Sequence, residues 1–230
     1  MKVDFFNPIV PRKAARNEAE KICRIITSEF PSISSTKISE FSAAKTIPEY
    51  ANFAKQIFSR IKTLVRNPSW KSFHQQGNDE LDFYTTLVNT IKQHRIGNCG
   101  DMSKLCTLIA NINNIPAQKA EMFTTRNGLL GMPIDHAIQV VPINGQKVEW
   151  APLSKMKNLL IIDPWLGFAD FAPKYEQKIK TSFDKFFGLT EDTSLYLNPH
   201  SGSEPKITKK VVNYFQENFP QFMIKNRVKS

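Results

Sequence analysis

The apolar residues of this chain change their period near residue 95, and that change limits the fold more than any other feature. From Arg12 to Phe30, Ala15, Ala19, Ile22, Ile26 and Phe30 recur at three- and four-residue spacing, which predicts an amphipathic helix ended by Pro31. Residues 31–48 are rich in Ser and Thr between two prolines and read as a loop. Helix resumes from Glu49 to Val65 through Phe53, Ile57, Phe58, Ile61, Leu64 and Val65, and again from Asp79 to Gln93. Beyond Pro116 come three β-like runs: Ala117 to Phe123, His136 to Ile143 and Leu159 to Ile162. The second alternates through Ala137, Gln139 and Val141 and ends at Asn144-Gly145, a hairpin signal that predicts a return strand over Lys147 to Ala151. Between the two regimes a helix follows the turn at Arg95 to Asp101, carrying Met102, Leu105, Cys106, Ile109 and Ile112. Two more helices are expected near Tyr175 to Phe187 and Lys206 to Phe219, separated by a Gly/Pro/Ser/Asn loop. The pattern reads as α+β: a helical part over 1–92, a core over 93–171 and a helical part over 172–230. With 230 residues, one domain is expected.

Hydrophobic residues at 41% and charged residues at 23% exclude disorder and fibrous repeats. A formal charge of +10 favours acidic partners. No nucleic-acid motif, P-loop or dinucleotide fingerprint accompanies it, so nucleic acid is not expected, and no cofactor is called for. The basic clusters at Arg12 to Arg16, Lys174 to Lys180 and Lys206 to Lys210 read as solvated faces. Three cysteines cannot form a paired framework, which points to a reducing compartment. The N-terminal stretch is too polar for a signal-peptide core, and no apolar run approaches the roughly 20 residues of a membrane span. A monomer without a membrane span is expected.

One constellation carries chemistry. Cys99 sits between turn residues at the start of a helix, where the dipole and the first backbone N–H groups favour a thiolate. His136 opens a strand, and Asp163 closes another before Pro164. In that order the three supply a nucleophile, a base and a carboxylate that orients the base. The Cys99 amide is a candidate oxyanion donor, and Gln93, six residues earlier, a candidate second donor. Trp165 is core or a shield over the His–Asp hydrogen bond.

Plainer readings compete for the same residues. Asp163 also suits the cap of a turn, and Asp135 is an alternative orienter, although strand alternation sets it on the face opposite His136. Cys23 and Cys106 read as core, and metal ligation by Cys99, His94 and His136 lacks any metal-ligand spacing. His74, His94 and His200 lie in polar or helical contexts without chemistry.

GNCGDMSKLC at 97–106, DHAIQVV at 135–141 and IIDPWLGF at 161–168 together resemble the core of the papain-like and transglutaminase-like cysteine hydrolases. The resemblance spans roughly Gln93 to Phe171 and implies a helix with the Cys at its start packed on a small antiparallel sheet bearing His and Asp. It implies Cys99 as nucleophile, His136 as base, Asp163 as orienter and Gln93 in the oxyanion hole. Gly100 replaces the aromatic residue that follows the Cys in papain and in animal transglutaminases, and no calcium-site acidic cluster is present. The nearest likeness is to compact bacterial effector hydrolases, which implies glutamine deamidation of a host protein with an acidic surface, ahead of proteolysis or transglutamination. Such enzymes enter host cells without a conventional cleavable signal. The rival from another class is a non-catalytic basic module that holds an acidic protein.

Overall fold

The N-terminal periodicity is realised in the computed structural model as α1, Arg12–Glu29, whose buried residues Ala15, Ala19, Ile22 and Ile26 form the expected stripe. The structure describes residues 5, 9–30, 55–77, 79–126, 129–182, 189–190, 192–199 and 205–224, without the side chains of 126–135. The loop expected over 31–48, the start of the second helix, His200 and the Asp135 side chain lie outside the described residues.

The second helix does not stop at Val65. Helical residues 55–61 pass into a π turn, Lys62–Arg66, and continue as α2, Asn67–Gln75. The reason is Pro68. A proline has no N–H to give, and its ring crowds the carbonyl four residues back; a wider turn just ahead of it accommodates both. Helix α3, Glu80–His94, is capped by the Asp79 side chain on Leu81 N at 2.8 Å and ends at Arg95 in the left-handed region, φ 53°. Helix α4 is Cys99–Ile112. Its start is a reciprocal capping box, Asn98 accepting from the Asp101 amide and Asp101 from the Asn98 amide.

The strands are β1 Gln118–Arg126, β2 Leu129–Pro142, β3 Ala151–Pro152, β4 Leu159–Asp163, β5 Phe168–Phe171 and β6 Thr193–Pro199. They form one antiparallel sheet in the order β3-β6-β1-β2-β4-β5. Helices α5, Ala172–Ser182, and α6, Lys209–Asn218, follow, with short 3-10 turns at Leu153–Lys155 and Pro220–Phe222.

Two expectations are corrected here. The Asn144-Gly145 turn forms, with φ 51° and 74°, but no return strand pairs with β2. The polar run at 147–149 is passed over, and the all-apolar Leu159–Ile162 takes that edge; the short β3 pairs instead with β6. The loop expected before the last helix contains β6, whose Thr193, Leu195 and Leu197 are buried on alternate positions.

The sheet separates two apolar clusters. Val141, Leu160, Ile162, Ala169 and Phe171 pack with α1, α3, α4 and α6. Met122, Ile138, Val140, Leu159, Ile161, Leu195 and Leu197 pack with Tyr175 and Ile179 of α5. Strand β4 is buried along its whole length, and truncating one of its Leu or Ile residues to Ala costs about 2–5 kcal/mol. The polar link across the first cluster is Gln139, fully buried on β2, whose Nε2 donates to the Ser103 carbonyl at 2.9 Å and to Ser103 Oγ. It ties the strand that bears His136 to the helix that bears Cys99.

Candidate active site

Cys99 is the first residue of α4 and 7% exposed. The capping box sets its backbone, and Arg66 reinforces the box from the π turn. Its Nη2 donates to Asn98 Oδ1 at 2.8 Å, and its Nε to Asp101 Oδ1 at 3.2 Å. Lys104 adds a second cation 3.7 Å from the fully buried Asp101 carboxylate.

His136 does not open a strand as expected: β2 begins at Leu129, and His136 lies within it beside an irregularity in the sheet. Between the pairs Phe123–Pro133 and Glu121–Ala137, β2 advances four residues while β1 advances two. Such a bulge re-aims the side chains around it and breaks strict alternation, so alternation does not discriminate between Asp135 and Asp163 here. The hydrogen bond does: His136 Nε2 meets Asp163 Oδ2 at 2.6 Å. The Cys99 side chain is the imidazole's other polar neighbour and likewise favours the protonated ring. Burial works against the imidazolium, yet the charge and hydrogen bond of Asp163, with the contribution of Cys99, hold its pKa at about 10. A cationic ring against a sulfur is the arrangement of a reactive Cys–His pair.

Asp163 divides its two oxygens between two tasks. Oδ1 accepts from Leu166 N at 3.0 Å and so caps the β4–β5 turn, which Gly167 completes at φ 81° with its amide on the Asp163 carbonyl. Oδ2 takes His136 and the hydroxyl of Tyr175, both at 2.6 Å. The turn-capping and the ring-orienting readings of Asp163 therefore both hold as geometry. Trp165, carried on the same turn, stands over the site with its ring centroid 5.0 Å from that of His136.

The structure thus brings Cys99, His136, Asp163 and Trp165 together. It does not join Gln93 to them: Gln93 is exposed in the last turn of α3 and makes no described hydrogen bond. Tyr175 and Arg66 escaped the reading of the sequence. Arg66 left no signal there; Tyr175 left a faint one, an aromatic hydroxyl on the buried stripe of an amphipathic helix.

The other thiols are set apart. Burial, with the charge of Asp163 second, pushes the Cys23 thiol far up, and burial pushes that of Cys106 up as well. Both are buried and unpaired as disulfides. Among the described residues no group of three or more His, Cys, Asp or Glu is arranged to hold a metal, and no helix is long and apolar enough to cross a membrane.

Comparison of the chain with protein-family models, with curated proteins and with solved structures gives no match.

Proposed function

We propose that this protein is a cysteine-dependent amide hydrolase with a papain-like or transglutaminase-like catalytic core, acting on a carboxamide of a protein substrate through a thioester. The observation that carries the reading is the convergence of Cys99, at a helix N-terminus, on a His136 ring that is hydrogen-bonded to Asp163. In the first half-reaction the Cys99 sulfur attacks the carboxamide carbon and the His136 imidazolium gives its proton to the departing nitrogen. The C–N bond breaks, ammonia leaves and a thioester remains. In the second, the now neutral imidazole takes a proton from water, the hydroxide adds to the thioester, and the C–S bond breaks to give a carboxylate. The Cys99 amide, in the first turn of α4, receives the oxyanion.

Glutamine side chains suit the site better than a peptide backbone. Cys99 is 7% and His136 3% exposed, under Trp165, so the opening favours a slender terminal carboxamide over a chain flanked by side chains. Intact-mass analysis of candidate host proteins tests the reaction. Deamidation gives the mass gain of exchanging an amide NH2 for hydroxyl, lost with Cys99→Ala. Fragments instead mean proteolysis, an amine adduct means transfer, and turnover that persists in Cys99→Ala refutes the mechanism.

A further inference from the structure

Four cations and one carboxylate surround a cavity of about 290 Å3 where α1, β5 and α5 begin or end. Arg12, Lys13 and Arg16 come from α1, Lys174 from α5, and Asp170 from β5. The two guanidinium groups are fixed in place. Arg12 lies over the ring of Phe171, 3.9 Å from its centroid, and donates to Asn158 at 3.2 Å; Arg16 is held by Glu20 at 2.9 Å and Asp170 at 3.8 Å. Lys13 and Lys174 are exposed and have no ion pair among the described residues.

This crowding of like charge is balanced by carboxylates only at Arg16; Arg12, Lys13 and Lys174 have no ion pair among the described residues. It is aggravated by the positive ends of two helices, where carboxylates rather than cations are stabilising. Neither α1 nor α5 has an acidic residue in its first turn, and α1 has Pro11 at its cap position with no side-chain cap. Three cations that break this local rule with no carboxylate to balance them mark a place where something else supplies the balance. The missing component is negative charge, and the cavity gives it room.

We propose that this cavity binds a small anion carrying at least two phosphoryl groups. A single carboxylate would leave most of the cations unmatched, whereas paired phosphoryl groups offer several oxygens to the planar guanidinium forks and to the two mobile ammonium groups. The site is separate from the catalytic one. Arg12 is eleven residues before Cys23, which lies against Asp163, and at 1.5 Å per residue that is roughly 16 Å along α1. Its fate does not depend on the hydrolase reading.

Isothermal titration of the full chain with inorganic pyrophosphate at low salt tests this. Binding is expected, and Lys13→Ala with Lys174→Ala, two exposed positions that leave the fold intact, should weaken it by roughly tenfold or more. Lys209→Ala, on a remote basic face, should leave affinity unchanged. Absence of binding, or equal loss in the Lys209→Ala control, would overturn the proposal. Phosphatidylcholine vesicles with and without phosphatidylinositol bisphosphate distinguish the source: binding lost in the double variant identifies a lipid headgroup, and binding of pyrophosphate alone identifies a soluble phosphate.

Discussion

Tyr175 meets Asp163 on the same oxygen that holds His136: its hydroxyl donates to Oδ2 at 2.6 Å, matching the distance of Nε2 from that atom. Helix α5, on one face of the sheet, thereby fixes a carboxylate whose imidazole partner faces the helix on the other. Tyr175→Phe removes one charge-assisted bond and leaves the carboxylate its two other donors. Chemical denaturation should show a loss of about 2 kcal/mol with the fold retained. An unchanged midpoint would mean that the hydroxyl contributes nothing.

Replacing Asp163 itself separates its two tasks. Asp163→Ala orphans two buried donors, the His136 ring and the Tyr175 hydroxyl, and the half-buried Leu166 amide, and should destabilise the chain by about 3–5 kcal/mol. Asp163→Asn keeps an acceptor for the turn and should fold, while the rate of Cys99 alkylation falls by about 100-fold, because the imidazole loses its counter-charge. Equal stability of the two variants would remove the turn-capping task.

The Cys99, His136 and Asp163 cluster was legible chiefly from Cys99 at a capped helix start and Asp163 at a strand end beside turn residues; His136 lies inside β2, where the sequence pattern put a strand's start. The α+β class followed from the shift in apolar period. What stayed hidden depends on contacts distant in sequence. Arg66 acts from a π turn across 32 residues to Asn98, and nothing in LVRNP announces that reach. The hairpin misled because Asn-Gly sets a turn but not which strand takes the free edge; Leu159–Ile162, able to bury both faces, does so. Strand β6 did carry a signal, the alternation of Thr193, Leu195 and Leu197, masked by its Asn-Pro end and the Gly/Ser-rich stretch after it.

His136 links stability to pH. Its folded pKa, about 10, lies above the ordinary 6.5, so the folded state binds the proton more tightly than the unfolded chain. The stabilisation is complete below pH 6.5 and is lost as pH rises from there through about 10. The stability difference between the wild type and His136→Gln, measured by denaturation at successive pH values, should narrow across that window. A difference that widens with pH would contradict the ion-paired imidazolium.

Arg66 holds the cap of the helix that begins at Cys99. Arg66→Ala leaves the fully buried Asp101 carboxylate with Lys104 alone and should destabilise the chain by about 2 kcal/mol. Arg66→Lys should recover only part of this, since an ammonium cannot bridge Asn98 and Asp101 as the fork does. Full recovery by Lys would show that charge alone matters there.

The sulfur of residue 99 and the ring of residue 136 are the pair on which the proposed hydrolase reading rests, and thiol alkylation reads them directly. Site-resolved mass mapping with iodoacetamide near neutral pH should label Cys99 at least about tenfold faster than the buried Cys23 and Cys106, and His136→Ala should abolish that advantage. Three thiols reacting at one slow rate, or a fast Cys99 indifferent to loss of the imidazole, would contradict it.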